Sequence, residues 1–140
     1  MTQAETYRQL VVDRAGGACE YCRLLQAASG ITVHIEHVRP RSQGGQTVLN
    51  NLALSCPRCN LAKGERTMAE DNRGRMHPLF NPRAFEPWLL GWHLHFVVTR
   101  QSGLIVPRTA IGEVTFKTLK MNDRIRVFAR KLQIRAGLIA

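Results

Sequence analysis

CEYC (19–22) and HIEHVRPRSQGGQTVLNNLALSCPRCNLAK (34–63) are the stretches whose reading decides the fold. All four cysteines of the chain lie in them, as the equal pairs Cys19/Cys22 and Cys56/Cys59. Two CxxC knuckles together supply four thiolates, the donor set of a closed tetrahedral zinc site that leaves no position for substrate. Reduced core cysteines or a redox CxxC are the alternatives. Neither accounts for two equal pairs, and no βαβ pattern surrounds them. Between the knuckles, ITVHIEHV (31–38) is β-branched and alternating, which predicts a strand ended by Pro40. RPRSQGGQ (39–46) reads as a loop with a Gly44-Gly45 turn, and NLALS (51–55) as a second strand entering the second knuckle. From Asn60 onward, NLAKGERTMAED reads as a short helix.

Spaced through this segment are Glu36-His37, Pro40, Ser42, Gly44-Gly45, Asn51-Leu52, Cys59-Asn60 and Lys63, with 14 residues from His37 to Asn51 and nine from Asn51 to Asn60. The combination resembles the signature of the HNH endonuclease family, and the flanking knuckles resemble its zinc-containing subgroup. The resemblance implies an α+β fold built on a ββα-metal core, stabilised by a four-cysteine zinc site. It also implies hydrolysis of DNA phosphodiester bonds with one divalent ion and a histidine base. By the same resemblance, His37 is the general base, and Glu36 and Asn60 ligate the catalytic ion. Asn51 ties down the loop between the strands and so orients His37. Lys63 contacts phosphate, with Arg39 and Arg41 as weaker contacts. Position 36 is Glu where the family more often has Asp or His, and position 60 is Asn where the name-giving motif has His. Both are oxygen donors, which favours Mg²⁺ or Mn²⁺ over a catalytic Zn²⁺ or Ni²⁺.

The chemistry asks for these groups on its own terms. Phosphodiester hydrolysis needs an activated water and a positive centre to neutralise charge on the phosphate and the leaving oxygen. A neutral imidazole is a competent base near pH 7. Strand alternation puts Glu36 and His37 on opposite faces, so a distortion ahead of Pro40 is expected to bring both to one cleft. His34, one strand period from Glu36, is expected to pack or to support that site, the alternative being an extra ligand. Set against the enzyme is a non-catalytic zinc module that binds DNA or RNA, which predicts salt-sensitive binding without cleavage.

The remaining chain frames this core. Its 140 residues suit one compact unit, read as a nuclease module at 1–68 with a basic extension at 69–140 packed on it. Thr2 and Glu5 form a candidate capping box ahead of a helix to about Arg14, with Tyr7, Leu10 and Val11 as its apolar face and Gly16-Gly17 ending it. Residues 72–87 read as a connecting segment without long regular structure. HLHFVVT, RQSG and LIVPRT then read as a β-hairpin. Thr109 caps a helix through Met121, and Asn122-Asp123 start another with Ile125, Phe128, Ala129 and Leu132 on one face. LFNPR (79–83), WHLHF (92–96) and TAIGEVTFKTLKMN (109–122) resemble, more loosely, the segment after the core in a group of small HNH proteins.

Lys+Arg number 20 against ten Asp+Glu, a net charge of +10. Residues 1–65 hold seven basic and five acidic side chains, and 66–140 hold thirteen and five. Such an excess attracts polyanions, and the expected partner is double-stranded DNA. Lys117, Lys120, Arg124, Arg126, Arg130, Lys131 and Arg135, with only Asp123 acidic in that span, are a basic set read either as phosphate contacts, with Lys120, Arg124 and Lys131 the leading candidates, or as a solvated helix face. His77, His93 and His95 are expected to be structural, and Trp88 and Trp92 to be core or interface. MTQAETYRQL lacks the form of a signal peptide, and the longest apolar run, WLLGWHLHFVV (88–98), is far short of the roughly 20 residues of a bilayer helix. The expectation is a cytoplasmic protein without a membrane partner.

Overall fold

The computed structural model describes residues 3–139, so the Thr2 side of the expected capping box lies outside the described residues. Helices α1 (Gln3–Thr6) and α2 (Arg8–Ala15) precede the first knuckle, and the short α3 (Gln26–Ser29) follows it. Strands β1 (His34–His37) and β2 (Leu52–Ser55) pair antiparallel, with Glu36 opposite Ala53 and His37 opposite Leu52. Helix α4 (Pro57–Lys63) completes a ββα unit. Beyond it come the hairpin β3 (Met68–Glu70)/β4 (Met76–Pro78), α5 (Trp88–His95), the hairpin β5 (Phe96–Val98)/β6 (Ile105–Pro107), α6 (Ala110–Thr118) and α7 (Arg124–Arg135). The fold is α+β. No helix among the described residues is long and apolar enough to cross a membrane.

Local chemistry accounts for most of these boundaries. Gly16 ends α2 in the left-handed conformation, and Pro57 stands at the first position of α4. Gly45 is required by close approach: a Cβ there would sit 1.7 Å from the Arg39 carbonyl oxygen. Thr109 and Asp123 cap α6 and α7 through side-chain oxygens that accept from the amides of Gly112 and Arg126.

Two apolar clusters hold the unit. The larger gathers the four cysteines with Tyr21, Leu24, Phe80, Trp88, Trp92, Phe96, Ile105, Leu119 and Met121. The smaller places Val11, Ala15 and Val33 against Leu52 and Leu54. Trp92 is fully buried and its Nε1 donates to the Tyr21 carbonyl at 2.8 Å, so α5 is tied directly to the first knuckle.

Several expectations are corrected. Leu10 is exposed, leaving Val11 and Ala15 as the buried side of α2. Residues 88–95 are helical, and only Phe96–Val98 of the expected HLHFVVT strand is extended. Residues 68–78 hold a hairpin, and α4 spans Pro57–Lys63, in place of the expected helix running on from Asn60. Helix α7 faces the opposite way to its apolar pattern. Arg126, Arg130, Gln133 and Ile134 are buried, while Ile125 and Phe128 are 65% and 64% exposed.

Glu20 and Arg83 carry a stability prediction. Glu20 is fully buried; one carboxylate oxygen accepts from the Leu54 amide at 2.7 Å and the other is paired with the Arg83 guanidinium. Removing one member strands the other charge in the core. Arg83→Ala is therefore expected to lower unfolding free energy by about 3–5 kcal/mol. Denaturant titration checks this; a change within about 0.5 kcal/mol, the size of an ordinary surface substitution, contradicts it.

Candidate nuclease cleft and metal centre

The knuckles bring four sulfur atoms together. The Sγ atoms of Cys19, Cys22, Cys56 and Cys59 all lie within 4.8 Å of one another, and all four residues are buried and free of disulfides. A tetrahedral zinc with bonds of about 2.3 Å needs sulfurs about 3.8 Å apart, and Cys22 and Cys56 stand at 3.5 Å. In each knuckle the first sulfur accepts from the backbone N–H of the second cysteine, at 3.5 Å in Cys19/Cys22 and 3.4 Å in Cys56/Cys59. All four sulfurs are removed from water, so holding them together as thiolates needs a cation among them. The donor set fits a single thiophilic metal.

The second site lies along the outer edge of the hairpin. A cleft of about 240 Å³ is lined by Glu36, His37 and Asn60, with Ile35, Pro40, Arg41 and Gly64 around them. Among the described residues the β1–β2 sheet has two strands, so β1 has an open edge, and Glu36 and His37 both line the cleft. The expected distortion ahead of Pro40 is not needed, and β1 keeps regular pairing through His37. Asn60 comes from the middle of α4, which the second knuckle starts.

Each side chain has a definite support. His37 is half-buried, with Nε2 2.8 Å from the Thr47 hydroxyl. Burial, and then the positive charge of Arg41, hold the imidazole below its ordinary 6.5. Glu36 is buried; its Oε1 accepts from the Tyr21 hydroxyl and its Oε2 lies 3.6 Å from the Lys63 ammonium. Burial raises this carboxyl above its ordinary value, with Lys63 the main opposing influence. Asn51 accepts from the Arg39 amide at 2.9 Å and donates to the carbonyls of Arg39 and Gln46 at 3.0 and 2.9 Å. Its own carbonyl accepts from Val38, so both ends of the 38–46 loop converge on one residue.

The expected phosphate contacts fare unequally. Lys63 is turned inward at 2% exposure, donating to the Val38 carbonyl at 3.0 Å and facing Glu36. Arg41 lines the cleft, and Arg39 is exposed with Nε bonded to the Gln43 carbonyl. Arg124 and Lys131 line a separate groove of about 830 Å³ beside Ile125 and Phe128, and Lys120 is exposed nearby. His34 is exposed, which corrects its expected packing. His77 pairs with Asp71 and His95 with Thr109, away from the cleft.

Two supports escape a reading of the sequence. Thr47 lies in the inter-strand loop and carries no signal beyond its position between Gly45 and Asn51. Tyr21 sits inside the first knuckle, and the tyrosine in CEYC is its one visible trace.

Residues 19–66 match the family model described as HNH endonuclease, and the four cysteines placed to hold a metal lie toward the ends of the matched segment. An HNH domain points to nuclease or nucleic-acid-related function. No curated protein and no solved structure matches the chain.

Proposed function

We propose that the chain is a metal-dependent HNH endonuclease that hydrolyses phosphodiester bonds of double-stranded DNA in the cytoplasm. In this reading Cys19, Cys22, Cys56 and Cys59 hold a structural zinc, and Glu36 and Asn60 hold Mg²⁺ or Mn²⁺. The observation that carries it is the convergence of Glu36, His37 and Asn60 on one cleft. A divalent ion there would supply positive charge for the phosphate and leaving oxygen. A carboxylate and an amide oxygen suit such a hard cation, and the Tyr21 and Lys63 contacts fix the carboxylate as metal-binding carboxylates are usually fixed.

His37 is the general base. With Nε2–H donated to Thr47, Nδ1 keeps its lone pair and takes the proton from the attacking water. Asn51 holds the loop that carries Thr47 and so keeps the ring in register. Arg41 anchors substrate phosphate at the cleft and Arg39 beside it, while Lys63 positions Glu36. Lys120, Arg124 and Lys131 add outlying phosphate contacts on the basic extension.

The test is supercoiled plasmid incubated with zinc-loaded protein, with and without added Mg²⁺ or Mn²⁺. Cutting that requires the added ion is expected. Salt-sensitive binding with no cutting in either metal would instead assign the chain to the non-catalytic module. The pH profile adds a second check. The base works when neutral, so kcat/KM, which reports the free protein, rises with pH through the His37 value and then levels. Because that value lies below 6.5, the acid limb is centred below 6.5 and Arg41→Ala moves it upward. A limb centred above 6.5 and indifferent to Arg41→Ala excludes His37 as the titrating base.

A further inference from the structure

Helix α7 turns Arg126 and Arg130 inward while Ile125, Phe128 and Leu132 face outward, an orientation that needs a compensating attraction inside the protein. Arg126 is 2% exposed and Arg130 is fully buried. They stand one turn apart on the same face of α7. Arg126 Nη1 donates to Cys59 Sγ at 3.0 Å, its Nε donates to Asp123 at 2.7 Å, and Nη2 reaches the carbonyls of Leu119 and Lys120. Arg130 donates to the carbonyls of Cys22 at 3.3 Å and Gly103 at 2.8 Å, and to Asn122 Oδ1 at 2.7 Å. Gln133, on the same face, accepts from the Leu25 amide at 2.9 Å and donates to the Arg23 carbonyl at 3.2 Å. One helix of the extension thus touches both knuckles.

The charge balance explains why. A divalent cation held by four thiolates carries a net charge of 2−, and the cysteines here are almost completely buried. Isolated charge in such surroundings is strongly unfavourable unless opposite charge is buried with it. Asp123 takes up one positive charge, but it is shared between Arg126 and Arg58 of the second knuckle, at 2.7 and 3.0 Å. Arg126 and Arg130, with Arg58 and the buried Arg23 beside the knuckles, outnumber Asp123, so a net positive charge surrounds the centre. Among the described residues no carboxylate lies within ion-pair distance of Arg130.

We propose that Arg126 and Arg130 are the cationic outer shell of the four-cysteine centre, so that metal binding and docking of α7 onto the HNH domain are one coupled event. The proposal rests on reading the four thiols as a zinc site. It gives the basic extension a role that its charge alone does not reveal. Two of its cations serve the metal rather than DNA. The outward apolar face of α7 follows from the inward pull on its arginines.

The test uses the full chain as wild type, Arg126→Met, Arg126→Lys, Arg130→Met and the exposed-site control Arg135→Met. Zinc content of the wild type is measured first, then zinc affinity by competition with a chromogenic chelator. Arg126→Met and Arg130→Met are expected to bind zinc about 10–100-fold more weakly, the loss usual for an outer-shell partner. Lysine at 126 should recover part of it, and Arg135→Met should match wild type. In Co²⁺-loaded protein, the thiolate-to-cobalt absorption band should move to lower energy in Arg126→Met, because a sulfur has lost its N–H donor. Unchanged zinc affinity in both methionine variants and an unchanged cobalt spectrum in Arg126→Met, with only a lower melting temperature, would make the arginines ordinary packing residues and overturn the proposal. Absence of zinc from the wild type would overturn the site reading as well. Should Arg126→Met not fold, Arg126→Lys and the zinc affinity of Arg130→Met decide the question.

Discussion

His37→Ala is expected to cut plasmid about 10²–10⁴-fold more slowly than the wild type, with DNA affinity and melting temperature close to unchanged. The size follows from what the imidazole does in the proposed reaction: it removes the proton from water as the phosphorus–oxygen bond forms, and no other group is placed to do so. His34 is on the same strand but exposed, three residues away in the pleat, and does not line the cleft. Glu36 is committed to Tyr21 and Lys63. The fold should tolerate the change because His37 is half-buried and makes one side-chain hydrogen bond, to Thr47, worth about 1 kcal/mol. Thr47→Val should give a smaller loss in the same direction, since it frees the ring without removing it. Single-turnover cleavage at saturating protein, beside a gel-shift titration, separates chemistry from binding. Equal single-turnover rates for wild type and His37→Ala would move the base elsewhere; weakened binding with unchanged chemistry would make His37 a DNA contact.

What is legible in the sequence is what local chemistry writes there. The knuckles, the two strands around the Gly44-Gly45 turn and the helix caps at Thr109 and Asp123 are legible, because spacing, β-branching and capping are short-range effects. The same holds for grouping Glu36, His37 and Asn60, which the motif ties together before any geometry. Helix α5 is not legible. WLLGWHLH is apolar on nearly every side, so it offers no 3.6-residue period, and its last residues alternate like a strand. The orientation of α7 is hidden for a deeper reason. Ile125, Phe128, Ala129 and Leu132 make a regular apolar face, and hydrophobicity alone would bury it. What decides the helix is charge at long range in sequence, from thiolates more than sixty residues earlier, and periodicity has no access to that. Lys63 is a similar case: its place near the end of α4 suits a phosphate contact, but a carboxylate on β1 folds in beside it.

Stripping the structural metal should do more damage than any single substitution outside the knuckles. The four cysteines are not on a peripheral loop; they belong to the larger apolar cluster, beside Tyr21, Trp92 and Phe96. Structural zinc in small domains contributes about 10–16 kcal/mol at neutral pH, against a total stability of about 5–15 kcal/mol for an ordinary domain. Removing it therefore exceeds what the apolar contacts hold in reserve. It also leaves sulfurs crowded against one another and two buried guanidinium groups without their counter-charge. Under reducing conditions, a chelator strong enough to take zinc should abolish cooperative melting and expose Trp92, read as a red shift of tryptophan fluorescence. Cysteine-to-serine replacement at Cys59 should do the same without chelator, since a serine hydroxyl is a poor zinc ligand and the Arg126 contact is lost with the sulfur. The cleft should disappear with the fold, because the second knuckle starts the helix that carries Asn60 and the first holds Tyr21 against Glu36. Re-addition of zinc to the reduced wild type should restore both melting and cleavage; re-addition of Mg²⁺ alone should restore neither. A chain that keeps its melting transition after its zinc is gone would separate the thiol cluster from stability, and the knuckles would then have to be explained by redox chemistry.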